Sequence, residues 1–274
     1  MEIIKAIIYG IIQGLTEFIP ISSTAHIRVI PALLKWGDPG AAFTAVIQIG
    51  TLIATLIYFR KDISAMISGF FGALKTKRFF DDPYSKIFIL IVLGTIPISI
   101  FGLTLKKFIE GDARGLYVIS ASLIGLALIL FLAEKISSRK KEMSEMTLKD
   151  GIIVGFAQAV ALIPGSSRSG VTITAGLFCG LKRDVAARYS FLLSLPAVGL
   201  SGLYELYSER NALLGENTIN LIIGTVVSGI VGYLAIAFLI NYLKTHSNLI
   251  FIIYRILLGV IILSLLFSGL LKNI

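Results

Sequence analysis

The stretch "QGLTEFIPISSTAH", Gln13 to His26, puts a glutamine, a glutamate, two serines, two threonines and a histidine directly behind the apolar run "MEIIKAIIYGII". The surrounding chain is 56% hydrophobic and 15% charged, with a mean hydropathy of +0.89. A soluble domain carries about a quarter of its residues as charges, so the solvent of this chain is a bilayer. The polar stretch therefore falls where a membrane helix is expected. Pro20 removes a backbone donor in its middle. Irregular backbone survives at membrane depth only where it faces protein or a watery cavity. Residues 1–36 are thus predicted to be a re-entrant hairpin broken at "IPISST", not a full crossing.

A second apolar region, 150–182, is interrupted in the same way by "IPGSSRSG" and is predicted to be a second re-entrant hairpin. Crossing the hydrocarbon layer takes about 20 mainly apolar residues. Six further stretches qualify, at roughly 40–60, 87–105, 116–134, 188–206, 219–241 and 250–271. The start has neither the basic region nor the small-residue cleavage site of a signal peptide, so the first apolar segment is expected to persist. The single cysteine, Cys179, has no partner for an intrachain disulfide or thiolate metal site and reads as a small apolar residue.

The net charge of +9 does not point to nucleic acid, because the basic residues gather in loops. Segment 60–86 holds Arg60, Lys61, Lys75, Lys77, Arg78 and Lys86, and segment 135–149 holds Lys135, Arg139, Lys140, Lys141 and Lys149. Lys182, Arg183 and Arg188 precede the fourth span, whereas "YELYSERNALLGENT" sets three glutamates against Arg210 alone. The positive-inside rule places the basic segments in the cytoplasm and the acidic one outside. Segment 106–115 falls outside by alternation. The second hairpin then enters and leaves on the cytoplasmic side, the first hangs from the outer side, and the two point at each other.

The halves also resemble one another. "GIIQGLTEFIPISS" (Gly10–Ser23) and "GFAQAVALIPGSS" (Gly155–Ser167) share G-x-x-Q, an apolar run and I-P-x-S-S, and Asp38 and Asp184 each precede an alanine pair. Each hairpin is followed by three spans, an odd number, which turns the second half upside down. The expected fold is an all-α polytopic membrane protein of two inverted-topology repeats, 1–149 and 150–274. This arrangement, with a midplane site at broken helices, is common in transporters. Glycine-rich faces such as "GTVVSGIVGY" (Gly224–Tyr233) suit close helix packing within one chain or between copies in a homodimer.

Arg168 lies inside an apolar region, where a charge costs about 2.5–3.5 kcal/mol on insertion scales. Around it are Gly165, Ser166, Ser167, Ser169, Gly170 and Thr172, with a helix expected to start near Val171. Glycines admit backbone N–H groups to a ligand, hydroxyls donate, a helix start adds positive potential and arginine grips phosphate bidentately. The set reads as an anion cradle, with a polar hinge in which Arg168 pairs with a structural carboxylate as the plainer reading. In the first hairpin Gln13 and Glu17 share a helix face. Ser23 and His26 stand three apart in a helix capped by Ser22 or Ser23. They supply a nucleophile and base, or His26 supplies a general acid. Glu17 either orients His26 or holds a divalent cation. The plainer reading is a Glu17–His26 pair that only stabilises the hairpin. His246, in a short turn, reads as incidental.

"QGLTEFIPISSTAH" and "PGSSRSGVTIT" resemble the two signature segments of the undecaprenyl-diphosphate phosphatase, or bacitracin-resistance, family. Length, span pattern and repeat agree over the whole chain. The resemblance implies a multi-pass enzyme of the plasma (inner) membrane. It would hydrolyse the terminal phosphate of a polyprenyl diphosphate lipid and return the monophosphate carrier to cell-wall synthesis, with Mg²⁺ or Ca²⁺ as cofactor. Carried over by position, Glu17, Ser23, His26 and Arg168 are the core, with Glu17 the metal ligand. Gln13, Ser22, Thr24, Ser167, Ser169 and Thr172 lie around them as phosphate-binding residues, joined by Gly165 and Gly170 of the cradle read above. Gln13 replaces a glutamate that many members carry, and Thr44 stands where some carry an acid, which weakens any two-carboxylate cation site. The rival class is a polyprenyl-phosphate flippase, since inverted repeats suit carriers. A carrier has no need of serine, histidine and arginine in one place.

Overall fold

A computed structural model of the chain describes residues 2–37, 40–105, 115–208 and 218–273. The second repeat marker, Asp38, and parts of two loops used for orientation, 106–114 and 209–217, lie outside these residues. The described residues form eleven α-helices: α1 (Ile3–Phe18), α2 (Ser23–Leu34), α3 (Ala41–Tyr58), α4 (Arg60–Thr76), α5 (Pro83–Thr104), α6 (Leu116–Ile136), α7 (Leu148–Val160), α8 (Arg168–Phe178), α9 (Arg183–Ser208), α10 (Thr218–Leu243) and α11 (Leu249–Phe267).

The protein is a multi-pass membrane protein. Four helices, α5, α6, α10 and α11, are long and apolar enough to cross a membrane. The pair α3 and α4, bent by 73° at Phe59, makes a fifth candidate if taken as one span. The sequence expectation of six spans therefore exceeds what length and apolarity alone support. A helix stands at each of the six, but α9 is set in the interior. It is buried almost continuously from Val185 to Ser194, and protein-facing helices can carry serines such as Ser190 and Ser194. The exterior is apolar, with Leu103 78%, Ile230 61% and Leu234 62% exposed. Buried polar side chains, among them Gln13, Thr51, Ser120, Gln158 and Ser228, lie inside. That inversion of a soluble protein's pattern is what a lipid solvent demands.

Sequence sets most boundaries. Asp82 caps α5 by accepting the Ser85 N–H at 2.7 Å, with Pro83 in the first turn. Thr147 and Asp150 form a capping box on α7. Helices α1 and α2, and likewise α7 and α8, are short pieces separated by a proline-centred break, as the two interruptions predict.

Glycine seams dock the broken pairs. α1 lies chiefly on α10, and a Cβ at Gly10 would stand 2.6 Å from the Gly224 carbonyl oxygen. α7 lies chiefly on α5, and a Cβ at Gly155 would stand 2.5 Å from the Gly94 Cα. Between α3 and α10, Gly229 faces Gly50. The stripe Gly224–Tyr233 thus does its close packing within the chain. At the basic end, the Glu134 carboxylate of α6 accepts from Arg183 Nε at 2.9 Å and Nη2 at 2.8 Å, from Arg139 at 3.2 Å, and from the Asn248 backbone N–H at 2.9 Å. One buried carboxylate so ties the starts of α9 and α11 to the end of α6.

Candidate active site

Helix α1 stops because Pro20 forces Ile19 into extended backbone, φ −63° and ψ 132°. The chain turns through Ser22, at φ +76°, whose side chain caps α2 by accepting the Ala25 N–H at 3.3 Å. The second break repeats the device. Gly165 has φ +88°, and Ser167, at φ +67°, caps α8 by accepting the Gly170 N–H at 3.2 Å. Positive φ at a serine costs of order 1–3 kcal/mol and concentrates at functional sites. α8 begins at Arg168, three residues before the expected Val171, because Ser167 takes the cap. Among the two candidates for the cap of α2, Ser22 takes that role.

The two breaks meet through a salt bridge. Arg168 Nη2 donates to Glu17 Oε1 at 2.5 Å, across 151 residues of sequence. Glu17 Oε2 accepts from Gln13 Nε2 at 2.7 Å, as their four-residue spacing predicts, and from the Ser23 hydroxyl at 3.3 Å. The Glu17 and Arg168 side chains are 6% and 14% exposed. At such burial, removing one partner strands a charge at a cost of about 3–5 kcal/mol.

His26 is held differently from expectation. Its Nδ1 lies 2.7 Å from the Ser22 carbonyl oxygen, and its Nε2 lies 2.7 Å from the Tyr254 hydroxyl of α11. A carbonyl oxygen only accepts, so Nδ1 carries the proton and Nε2 is the free base nitrogen. Glu17 therefore does not orient His26 in this state, and the Ser23 hydroxyl points to Glu17 instead of the imidazole. The carboxylate's four lone-pair positions are shared among three donors of the site.

The other expected residues divide. Ser167 and Ser169 are buried at the tip, with hydroxyls 3.3 Å apart. Gly170 permits close approach, since a Cβ there would stand 2.6 Å from Arg255 Nη1. Thr172 donates to the Arg168 carbonyl at 2.8 Å and sits 2.6 Å from Ser190 Oγ, so it fastens α8 to α9. Thr24 is exposed on the first turn of α2. Thr44 bonds the Gly40 carbonyl at 2.9 Å, and His246 is exposed, bonded to its own turn.

Tyr254 and Arg255 escaped the sequence reading. Arg255 is fully buried, and its Nη2 donates to the Ser166 carbonyl at 2.9 Å, behind the α8 start. A signal existed, because an arginine inside the predicted span 250–271 is a functional candidate by position alone. Tyr254 gave none.

A divalent cation has one carboxylate available here, and among the described residues no three His, Cys, Asp or Glu side chains gather. Yet the buried Gln13 Oε1, beside Glu17, has no hydrogen-bond partner among the described residues. Glu17, Gln13 Oε1 and Ser23 Oγ fit a hard cation such as Mg²⁺ that takes most of its oxygens from substrate phosphates and water.

Comparison with known proteins gives a consistent result. The family model for the bacitracin resistance protein BacA matches residues 6–261. The chain is similar to the undecaprenyl-diphosphatase of Chlorobium phaeobacteroides, at 54% identity over 281 residues, covering 99% of this chain and 100% of the relative. It is similar to that of Chlorobaculum tepidum, at 52% over 278 residues, covering 98% and 99%. The relative of that name from Myxococcus xanthus is 51% identical over 269 residues, covering 98% and 91%.

Proposed function

The chain belongs to the bacitracin resistance protein BacA family, and on that premise we propose how it works as an undecaprenyl-diphosphatase built around the Arg168–Glu17 junction. It is a membrane enzyme that cleaves undecaprenyl diphosphate to undecaprenyl phosphate and inorganic phosphate, recycling the carrier for cell-wall synthesis and conferring bacitracin resistance. The observation that carries the site assignment is the 2.5 Å contact that brings the arginine of one broken pair onto the glutamate of the other.

The diphosphate enters between the two breaks, and its terminal phosphate takes Arg168 from Glu17. Arg168 and the amides at the α8 start hold the phosphate oxygens. The leaving group is a phosphate monoester, which departs as an anion and needs no general acid. Ser23 Oγ attacks the terminal phosphorus, the bond to the bridging oxygen breaks, and the serine proton passes to Glu17, to which it is already bonded. Water then attacks the phosphoserine. Its proton goes to His26 Nε2, and Glu17 returns its proton to Ser23 as phosphate leaves. Glu17 and Gln13 would hold a divalent cation, which when bound would offset charge on the phosphate oxygens. Serine, glutamate, histidine and arginine in one place support hydrolysis over carriage alone.

The finer architecture belongs to the same proposal: two inverted repeats, 1–149 and 150–274, in the plasma (inner) membrane. Three likenesses support it. Each broken pair docks through glycines on the other half, α1 on α10 and α7 on α5. Gln13 and Gln158 are both fully buried. Ser22 and Ser167 both cap a second helix at positive φ.

Purified wild-type protein in detergent is expected to release phosphate from undecaprenyl diphosphate, and Arg168→Ala and His26→Ala to lose nearly all release while remaining folded. Absence of release from the wild type refutes the function. Trapped phosphate on a residue other than Ser23 refutes the nucleophile.

A further inference from the structure

We propose that Tyr254 is a positioning residue that keeps His26 partnered both before and after it takes a proton. This rests on the reading of His26 as the base given above. The Ser22 carbonyl, 2.7 Å from Nδ1, holds a proton there in every state of the ring. Chemistry at this imidazole is therefore confined to Nε2, and Nε2 faces the Tyr254 hydroxyl at 2.7 Å. The two rings are stacked, 6° from parallel with centroids 5.6 Å apart.

The partner's chemical type matters. His26 is 7% exposed, and a buried imidazolium without an acceptor at each N–H is costly. A carboxylate at Nε2 would fix the charged form and leave no base. An amide N–H or indole would satisfy the neutral form and repel the charged one. A phenol hydroxyl both donates and accepts. At rest it donates to the Nε2 lone pair. When the attacking water displaces the hydroxyl from the Nε2 lone pair and leaves its proton there, the hydroxyl turns, accepts from Nε2–H, and offers its own hydrogen to a phosphate oxygen or water. No O–H bond of the tyrosine breaks, and the proton count is unchanged.

The charged groups around this pair sharpen the need. At rest Glu17 is bonded to Arg168, Gln13 and Ser23, and by the time His26 is charged it carries the Ser23 proton and is neutral. Arg255, next in sequence to Tyr254, is fully buried and bonded to the Ser166 carbonyl. The oxygen that stands at the second N–H of a charged His26 is that of Tyr254, 2.7 Å from Nε2. Consecutive residues of α11 thus touch both breaks, Tyr254 the first and Arg255 the second.

The test separates this from a packing role. Tyr254→Phe keeps the ring and removes only the oxygen. The expected result is a fall in kcat of about 10- to 100-fold, the loss of a hydrogen bond to a charged group, with KM within twofold and thermal unfolding unchanged. A second variant places 4-aminophenylalanine at 254. Its amino group still donates to neutral Nε2 but accepts poorly, so kcat should fall almost as far although the resting contact is kept. Unchanged kcat in either folded variant, or a change confined to KM, overturns the proposal. If Tyr254→Phe fails to fold, the 4-aminophenylalanine protein decides the question by the same kcat criterion. A wild type that releases no phosphate fails the proposed function before Tyr254 is at issue.

Discussion

Gly165→Ala places one methyl group at the tip of the second break, and its effect follows from two features of that position. The backbone there has φ +88°, a region that costs a side chain about 1–2 kcal/mol. The added Cβ would also stand 2.5 Å from the carbonyl oxygen and 2.7 Å from the Cα of Ile119. Both are backbone atoms of α6, which cannot swing aside as a side-chain end can. Ordinary carbon contacts lie near 3.5 Å, so the tip must retreat by roughly 1 Å. Overpacking of this kind costs about 1–3 kcal/mol, and with the backbone term the expected loss of stability is about 2–5 kcal/mol. The retreat carries Ser167 and Arg168 away from Glu17, and a misplacement of about 1 Å at a reacting centre costs on the order of 100-fold in rate. Phosphate release per folded molecule, with detergent-resistant unfolding followed in parallel, measures both. Gly72→Ala is the control. Gly72 lies in α4 at an ordinary helical φ with nothing within 4 Å of its added Cβ, so activity should hold and stability rise by about 0.5–1 kcal/mol. Wild-type turnover in folded Gly165→Ala would refute the claim that the tip sits on α6 to ångström tolerance.

Gln13→Glu gives the site a second carboxylate where Gln13 Oε1 has no partner among the described residues. The concentration of Mg²⁺ or Ca²⁺ for half-maximal phosphate release should fall several-fold, while chelation should silence both proteins; no change in either would remove the cation from Glu17. Glu17→Gln and Arg168→Ala should be strongly non-additive: each strands a buried partner, so the double variant should be less destabilised than the singles together, by about 1–3 kcal/mol of coupling in an unfolding cycle. Glu134→Gln loses the paired contact with Arg183 far from the breaks. Stability should drop by about 2–4 kcal/mol, with kcat of the folded enzyme unaltered.

Much of this molecule was legible in one sequence, and the exceptions have a common cause. The interruptions at Pro20 and Pro164 gave away both breaks, because proline and glycine act locally. The Gln13–Glu17 contact followed from helical spacing. Arg168 announced itself by the expense of a charge in an apolar setting. The partner of Arg168 and the partner of His26 did not, because they lie 151 and 228 residues away, and no local pattern encodes so distant a contact. The expected Ser23–His26 contact failed for a related reason: spacing along α2 brings two side chains near, but Glu17 and Tyr254 offered better-aimed partners. Helix α4 was read as loop because its basic residues dominate segment 60–86. It packs on α5, where the Phe70 ring lies against Phe88 with centroids 4.5 Å apart, a contact with no local sequence signal.

The glycine seams lock each break onto the opposite half, α1 into α10 and α7 into α5. Neither half of the chain, cut between α6 and α7, has a berth for its own broken helix or a complete set of reacting groups. Two separately made halves should be inert alone and regain turnover only when inserted together, and, on the proposed inverted repeat, only in opposite orientations.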